Sequence, residues 1–275
     1  MLNFNGEIFD KENFNLPYNN RAFYFGDALF ETLKFKNNTV FFSEDHYFRL
    51  MASMRMLRME IPLYFSFEFF ESEILKTINA NKLTEARIRF QVFRKEGGYY
   101  LPKTNDIHFL IEVSNLQVTK NETYELDVFK DFYVYSGLLS NLKTTNRIIN
   151  VVASIFADEN HLDDCILLNE KKRVVETTKA NIFLVKGTEV RTPCLTEGCI
   201  KGITRKKVIE EINRIGMYQL IETEISPFEI QKADAVFITN SIIGIQPVKK
   251  YRKKIFNTTI VELVTEDFEM EFKIN

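Results

Sequence analysis

Leu142-Lys143-Thr144-Thr145-Asn146-Arg147 and, thirty-odd residues later, Val174-Val175-Glu176-Thr177-Thr178-Lys179-Ala180-Asn181-Ile182-Phe183 are the two runs whose reading decides the rest. A lysine at the mouth of a helix can form an imine with an aldehyde cofactor, and a glutamate delivered by a later strand can hold the proton of a pyridinium ring. The pair points to pyridoxal phosphate chemistry. Singly, either residue reads as a solvated surface charge, because the chain holds 36 Lys and Arg against 38 Asp and Glu and such residues are mostly exposed.

Composition narrows the field around that pair. A length of 275 residues suits two modest domains, and a formal net charge of -2 offers no global basic field for nucleic acid. A small metabolite is the expected partner. Three cysteines, Cys165, Cys194 and Cys199, are odd in number and without a C-x-x-C spacing; with only three histidines they favour neither a disulfide framework nor zinc. The N-terminal Met1-Leu2-Asn3-Phe4-Asn5-Gly6 lacks a basic stretch followed by an apolar core, and no run approaches the roughly 20 apolar residues of a spanning helix. A cytoplasmic protein is expected.

Along the chain, Asn5-Gly6 signals a short hairpin covering a sheet edge. Residues 23–35 alternate as a strand would, interrupted at Gly26-Asp27, and Asn37-Asn38 turns into a second short strand. Ser43 should begin a helix carrying Arg49, and residues 62–81 a second helix. Strands are expected over 86–93, 107–113, 129–135, 165–168, 180–185 and 234–238, and helices over 146–159 and 204–215. Without regular alternation, the class is α+β. Two domains are expected, a smaller one over 1–115 and a larger cofactor-binding one over 116–275. The basic run 249–254 reads as a solvated turn between strands, and His46, Cys194 and Cys199 receive no role.

The remaining parts of such a site have candidates too. Cys199-Ile200-Lys201-Gly202-Ile203-Thr204-Arg205 sets a glycine and a threonine before an apolar-periodic helix, a layout that aims backbone amides at an anion. Thr239-Asn240-Ser241 supplies amide and hydroxyl donors at a strand end.

In order and spacing these pieces resemble the class IV aminotransferases, the fold-type IV pyridoxal phosphate enzymes with a D-amino acid aminotransferase-like fold. Asn20-Arg21-Ala22-Phe23-Tyr24-Phe25-Gly26-Asp27-Ala28-Leu29-Phe30-Glu31-Thr32 is similar to the family's opening block, with Ala28 replacing its second glycine. Glu44-Asp45-His46-Tyr47-Phe48-Arg49-Leu50 resembles its acid-x-His-x-x-Arg-Leu helix, and Lys201 to Arg205 its phosphate cup. The resemblance implies that Lys143 is the catalytic lysine and that Arg49, Glu176, Ile203, Thr204, Asn240 and Ser241 hold pyridoxal 5'-phosphate. It implies Phe30, Arg89 and Arg94 beside the substrate. A homodimer is likewise implied.

Three reactions compete within the family. D-amino acid transamination ranks last, because Phe30 stands where a tyrosine is expected and Tyr99-Tyr100-Leu101-Pro102 where an Arg-x-His is expected. Lysis of 4-amino-4-deoxychorismate to 4-aminobenzoate and pyruvate is favoured by Lys143-x-x-Asn146-Arg147, but Arg94-Lys95-Glu96-Gly97-Gly98-Tyr99-Tyr100 lacks a second arginine expected of the lyases. Transamination of an L-amino acid, branched-chain-like through Ala86-Arg87-Ile88-Arg89, ranks first. A non-catalytic binding protein on the same fold ranks behind the enzymes, since both the lysine and the glutamate are present.

Overall fold

The computed structural model describes residues 1–263 and 265; the end of the expected 116–275 domain lies outside the described residues. The chain forms two compact units, the first comprising Met1–Gln117 with Lys143–Asn146, the second Val118–Leu142 with Arg147–Asn275.

The first unit begins with the hairpin β1 (Leu2–Phe4) and β2 (Glu7–Phe9), turning at Asn5 and Gly6 with φ of 51° and 91°. Next come α1 (Arg21–Phe25), β3 (Ala28–Lys36), β4 (Thr39–Val40), α2 (Ser43–Met56), α3 (Phe67–Ala80), β5 (Ala86–Arg94) and β6 (Ile107–Asn115). The strands make one sheet in the order β2-β1-β6-β5-β3-β4, so the opening hairpin does cover an edge. Alternation decides which face is dry. Leu29, Leu33, Ile88, Phe90, Phe109 and Ile111 are buried on the side that receives α2 and α3, while Phe30, Arg89 and Gln91 lie on the opposite side and stay half-buried. Phe90 is the centre of the packed side, with ring centroids 4.6 Å from Phe70 and 5.5 Å from Phe109.

The second unit holds β7 (Glu125–Val128), α4 (Ile148–Glu159), β8 (Asp164–Leu168), β9 (Val174–Thr177), β10 (Asn181–Lys186), β11 (Glu189–Pro193), α5 (Ile203–Ile215) and β12 (Gln219–Thr223). It closes with α6 (Pro227–Lys232), β13 (Ala235–Asn240), β14 (Gly244–Val248), β15 (Lys250–Tyr251) and β16 (Lys254–Ile255). Two five-stranded sheets result, β12-β11-β10-β13-β14 and β16-β15-β7-β8-β9. Their inner faces share one core, in which Ile166 and Leu168 meet Ile182, Leu184, Val236 and Ile238. The alternate residues point outward into other cores: Cys165 and Leu167 pack with Ala153 and Ala157 of α4, and Phe183 and Val185 with Val208 and Ile212 of α5. With both faces covered, β8 is buried at every position, which is why Cys165–Leu168 reads as an unbroken apolar run rather than an alternation.

Four sequence expectations are corrected by local chemistry. Residues 21–25 form α1 rather than strand, because Asn20 Oδ1 accepts the amides of Ala22 and Phe23 and Gly26 ends the turn in the left-handed region. Helix α3 starts after Ser66, whose Oγ accepts the Phe69 amide at 3.2 Å, while Pro62 is spent in the preceding turn. Over 129–135 the strand is absent: pairing with β8 occupies Glu125–Val128, and the aromatic alternation beyond it belongs to the exposed Phe132, Tyr133 and Tyr135. Lys143 is not at the mouth of a helix, since α4 begins at Ile148.

Phe90→Ala is expected to destabilise the protein by about 3–5 kcal/mol, the range for emptying an aromatic site in a packed core. Urea unfolding followed by circular dichroism measures it, and a change below about 1 kcal/mol would contradict the packing described.

Candidate functional site

Lys143 is positioned by backbone pairing. Its carbonyl accepts the Phe30 amide at 2.9 Å and the Thr145 amide donates to Ala28 O at 3.0 Å, so the segment adds a short antiparallel bridge, Leu29 to Thr144, beside the start of β3. The segment is clamped at its far end by Asn146, whose Nδ2 donates to Gly26 O at 3.0 Å. Gly26 has φ of 62°, and a Cβ there would lie 2.3 Å from Asn146 Oδ1, so both backbone and space demand glycine.

The pairing brings three of the expected residues together on the open face. Lys143 Nζ lies 4.6 Å from the Phe30 ring centroid and the Arg89 guanidinium 4.0 Å from it. Arg89 donates through Nε and Nη2 to Gln91 Oε1 at 3.2 and 3.1 Å. A neutral amide steadies the guanidinium without cancelling its charge, and burial lowers the Arg89 pKa against the opposing effect of Glu112, its cross-strand neighbour. The arrangement can hold a carboxylate next to a lysine.

On the packed face Arg49, from α2, meets Glu31, from β3. Arg49 Nε donates to Glu31 Oε1 at 2.8 Å and Nη2 to Oε2, a bidentate pair, and His46 Nδ1 lies 2.6 Å from the same Oε2. Burial alone would raise the Glu31 pKa, but the Arg49 charge and the His46 and Arg49 hydrogen bonds bring it from 4.5 down to about 2. Burial lowers His46, so the ring is neutral and its Nδ1 proton goes to the carboxylate. Glu31 was quoted in the opening block without a role; nothing in the sequence marks it as the partner of Arg49, 18 residues on. Arg94 is spent internally: Nε reaches Asp27 at 3.0 Å, Nη1 Asn105 Oδ1 at 2.5 Å and Nη2 Leu57 O at 2.7 Å. With the side chain 7% exposed, the structure places it as a tie between loops rather than beside Phe30.

In the second unit the hub is Asn181, which sequence reasoning quoted but did not single out. Its Nδ2 donates to Ile200 O at 2.9 Å and, weakly, to Glu176 Oε2 at 3.3 Å, while the Ile200 amide donates to Glu176 Oε2 at 2.9 Å. A Cβ on Gly202 would fall 2.0 Å from Asn181 Oδ1, so only glycine lets the loop come this close. The loop therefore delivers the start of α5 next to the buried Glu176. There, Gly202 gives no side-chain cap, leaving the first amides of α5 unsatisfied within the helix, and the buried Thr204 Oγ1 has no hydrogen-bond partner. Thr239 Oγ1 is a second buried hydroxyl without one, and its residue pairs directly with Asn181 across β10 and β13. Orphaned hydroxyls and helix-start amides are the donor set an anion needs. Asn240 is committed to its own turn, Oδ1 accepting the Ile242 and Ile243 amides at 3.0 and 2.9 Å, and Ser241 beside it is half-buried. Burial, then the Glu176 charge, pushes the Cys199 thiol up to about 12, which leaves it an unreactive loop residue.

Residues 28–251 match the family model described as amino-transferase class IV. The chain is 28% identical to a Methanocaldococcus jannaschii protein assigned as a branched-chain-amino-acid aminotransferase, over 98% of this chain and 94% of that one. It is 27% identical to the aminodeoxychorismate lyase of Vibrio harveyi, over 85% and 86% of the two chains. The branched-chain aminotransferase of Thermoproteus uzoniensis has the same fold, with a TM-score of 0.90 at 23% identity over 98% of this chain and 93% of that one. Among the described residues no helix is long and apolar enough to cross a membrane.

Because the folded pKa of Glu31 lies below its ordinary value, the pair stabilises the fold above about pH 4.5 and the contribution fades as pH falls toward 2. Its size is about 3 kcal/mol at most. Unfolding free energies between pH 6 and pH 3, measured for the native chain and Glu31→Gln, should fall more steeply in the native chain; parallel curves would contradict the pairing.

Proposed function

The chain belongs to the amino-transferase class IV family, and from that premise we propose a pyridoxal phosphate-dependent aminotransferase that moves an amino group between an amino acid and a 2-oxo acid. The observation that carries the reading is the anion cup of the second unit, where the uncapped start of α5 and the partnerless Thr204 hydroxyl are tied through Gly202 and Asn181 to the buried Glu176. Those groups fit the cofactor: Ile203 and Thr204 would offer donors for its phosphate and Glu176 a carboxylate for its ring nitrogen, while a role for Arg49 as a phosphate ligand is carried over from the family resemblance alone. Asn240 and Ser241 border the cup at the end of β13. When bound, pyridoxal phosphate supplies an electron-withdrawing ring.

The chain's own residues do the rest. Lys143 Nζ would anchor the cofactor until the incoming amino group displaces it; the freed neutral amine would then take the α-proton of the amino-acid donor and, in the return half of the exchange, deliver a proton to the α-carbon of the 2-oxo acid acceptor. Arg89 binds and orients the α-carboxylate through its guanidinium, with the Phe30 ring beside both the guanidinium and the Lys143 amine. Glu176, held by the Ile200 amide, keeps a negative charge in place without moving. Arg94, consumed by Asp27, Asn105 and Leu57, is left out of this scheme.

An L-amino acid donor of branched-chain type is the preferred substrate, supported by the Methanocaldococcus jannaschii relative and by Arg89 in the 86–89 run. The lyase reading is kept second, favoured by Asn146-Arg147 after Lys143 and by the Vibrio harveyi relative. A homodimer in the cytoplasm completes the proposal on family resemblance.

The test is a paired assay on purified protein: 2-oxoglutarate-dependent glutamate formation from L- and D-amino acids, beside 4-aminobenzoate formation from aminodeoxychorismate. Glutamate from L-leucine, L-isoleucine or L-valine is expected; aminobenzoate with negligible glutamate would replace the first reading by the second. Lys143→Ala should abolish turnover and the visible absorbance of the bound cofactor, and an active variant would sink the assignment.

A further inference from the structure

The pair beneath β3 carries a further step, which rests on the reading of Arg49 as a ligand of the cofactor phosphate. We propose that Glu31 is the positioning residue of that phosphate site, holding Arg49 in a single orientation, with His46 as the prop that holds Glu31.

Arginine has several rotatable bonds and loses considerable side-chain freedom when fixed. Here the loss is incurred on folding. The Nε and Nη2 edge of the guanidinium is docked on both oxygens of a carboxylate whose side chain is 2% exposed, and a planar fork held along one edge has the direction of its remaining edge determined. Glu31 cannot swing, because it projects from the middle of β3, flanked in sequence by the two residues that share the open face, Phe30 and Thr32, and backed by α2. His46 stands one helical turn before Arg49 on α2 and reaches the same Oε2. Its Nε2 is buried without a hydrogen-bond partner, so its one polar contact is with Glu31. A ring kept inside the core at that cost is doing positional duty for the carboxylate. An anion arriving at Arg49 then meets a donor already in place, and the ordering cost is removed from binding.

The experiment compares pyridoxal phosphate with pyridoxal, the same aldehyde without the phosphate, in equilibrium titrations of the full chain freed of cofactor. Five proteins are titrated: native, Arg49→Ala, Glu31→Gln, Arg49→Ala combined with Glu31→Gln, and Glu31→Asp, which keeps the charge but falls one methylene short and serves where the glutamine variant folds poorly. The expected result is that either Glu31 variant weakens pyridoxal phosphate about ten-fold or more while pyridoxal changes by less than about two-fold, and that adding the substitution to Arg49→Ala causes no further loss. Equal weakening of both ligands, or no weakening, beside a phosphate-selective Arg49→Ala would overturn the role of Glu31 alone. An Arg49→Ala protein that weakens both ligands equally would overturn the reading of Arg49 and the inference with it.

Discussion

The backbone pairing between Lys143 and β3 is the constraint on which the chemistry of the first unit depends. Two amide-to-carbonyl bonds, Phe30 to Lys143 and Thr145 to Ala28, fix the lysine backbone on a sheet rather than in a loop. A strand register also fixes which way side chains point. Phe30 sits on the open face because Leu29 and Glu31 sit on the packed one, and the lysine amine and Arg89 guanidinium both come over the Phe30 ring. The Arg89 guanidinium is favoured by the ring quadrupole, and with the lysine amine at the same ring the place suits an anionic substrate group.

In the second unit the equivalent constraint is steric. Gly202 has an ordinary negative φ, so its need for glycine comes from the approach to Asn181 and not from backbone conformation. That approach is what allows one asparagine side chain to bind the loop carbonyl of Ile200 while the Ile200 amide binds Glu176. The buried carboxylate is thereby hydrogen-bonded by the Ile200 amide and, more weakly, by Asn181, as a buried charge requires. The two sheets that carry it share an apolar core, and α4 and α5 set apolar residues against their outer faces.

Much of this was legible before the structure. The apolar run Cys165-Ile166-Leu167-Leu168 reads as a strand and Asn5-Gly6 as a tight turn, because short apolar runs and positive-φ residue types carry those signals. The aromatic alternation over 129–135 misled, because alternation measures compatibility with a strand and says nothing about whether a neighbour is there to pair. At 21–25 the decisive feature was one capping side chain, Asn20, outweighing a pattern of aromatics. For the site, motif order pointed to a glutamate on a strand and a glycine and threonine at a helix start, which are β9 and α5, whereas the lysine expected at a helix mouth lies on a segment bridged to β3. Asn181 and Glu31 escaped because their importance lies in contacts across elements, Asn181 to the loop at Ile200 and Glu31 to a helix 18 residues away.

The three arginines expected to serve the site make the same point in energetic terms. They have equal charge and similar reach, and the sequence cannot rank them. The structure separates them by what stands opposite. Arg94 faces Asp27, an asparagine and two carbonyls, and its donors are consumed. Arg49 is docked on the Glu31 carboxylate, which weakens its pull on any further anion yet removes the entropy of orienting it. Arg89 donates to a neutral amide and lies over an aromatic ring, which orient it without a carboxylate docked on the guanidinium edge. A substrate that must bind and leave at every turnover is better served by the last arrangement, and a cofactor that stays is better served by the second. The partner that folding assigns to each arginine, rather than the arginine itself, sets which kind of anion it can hold.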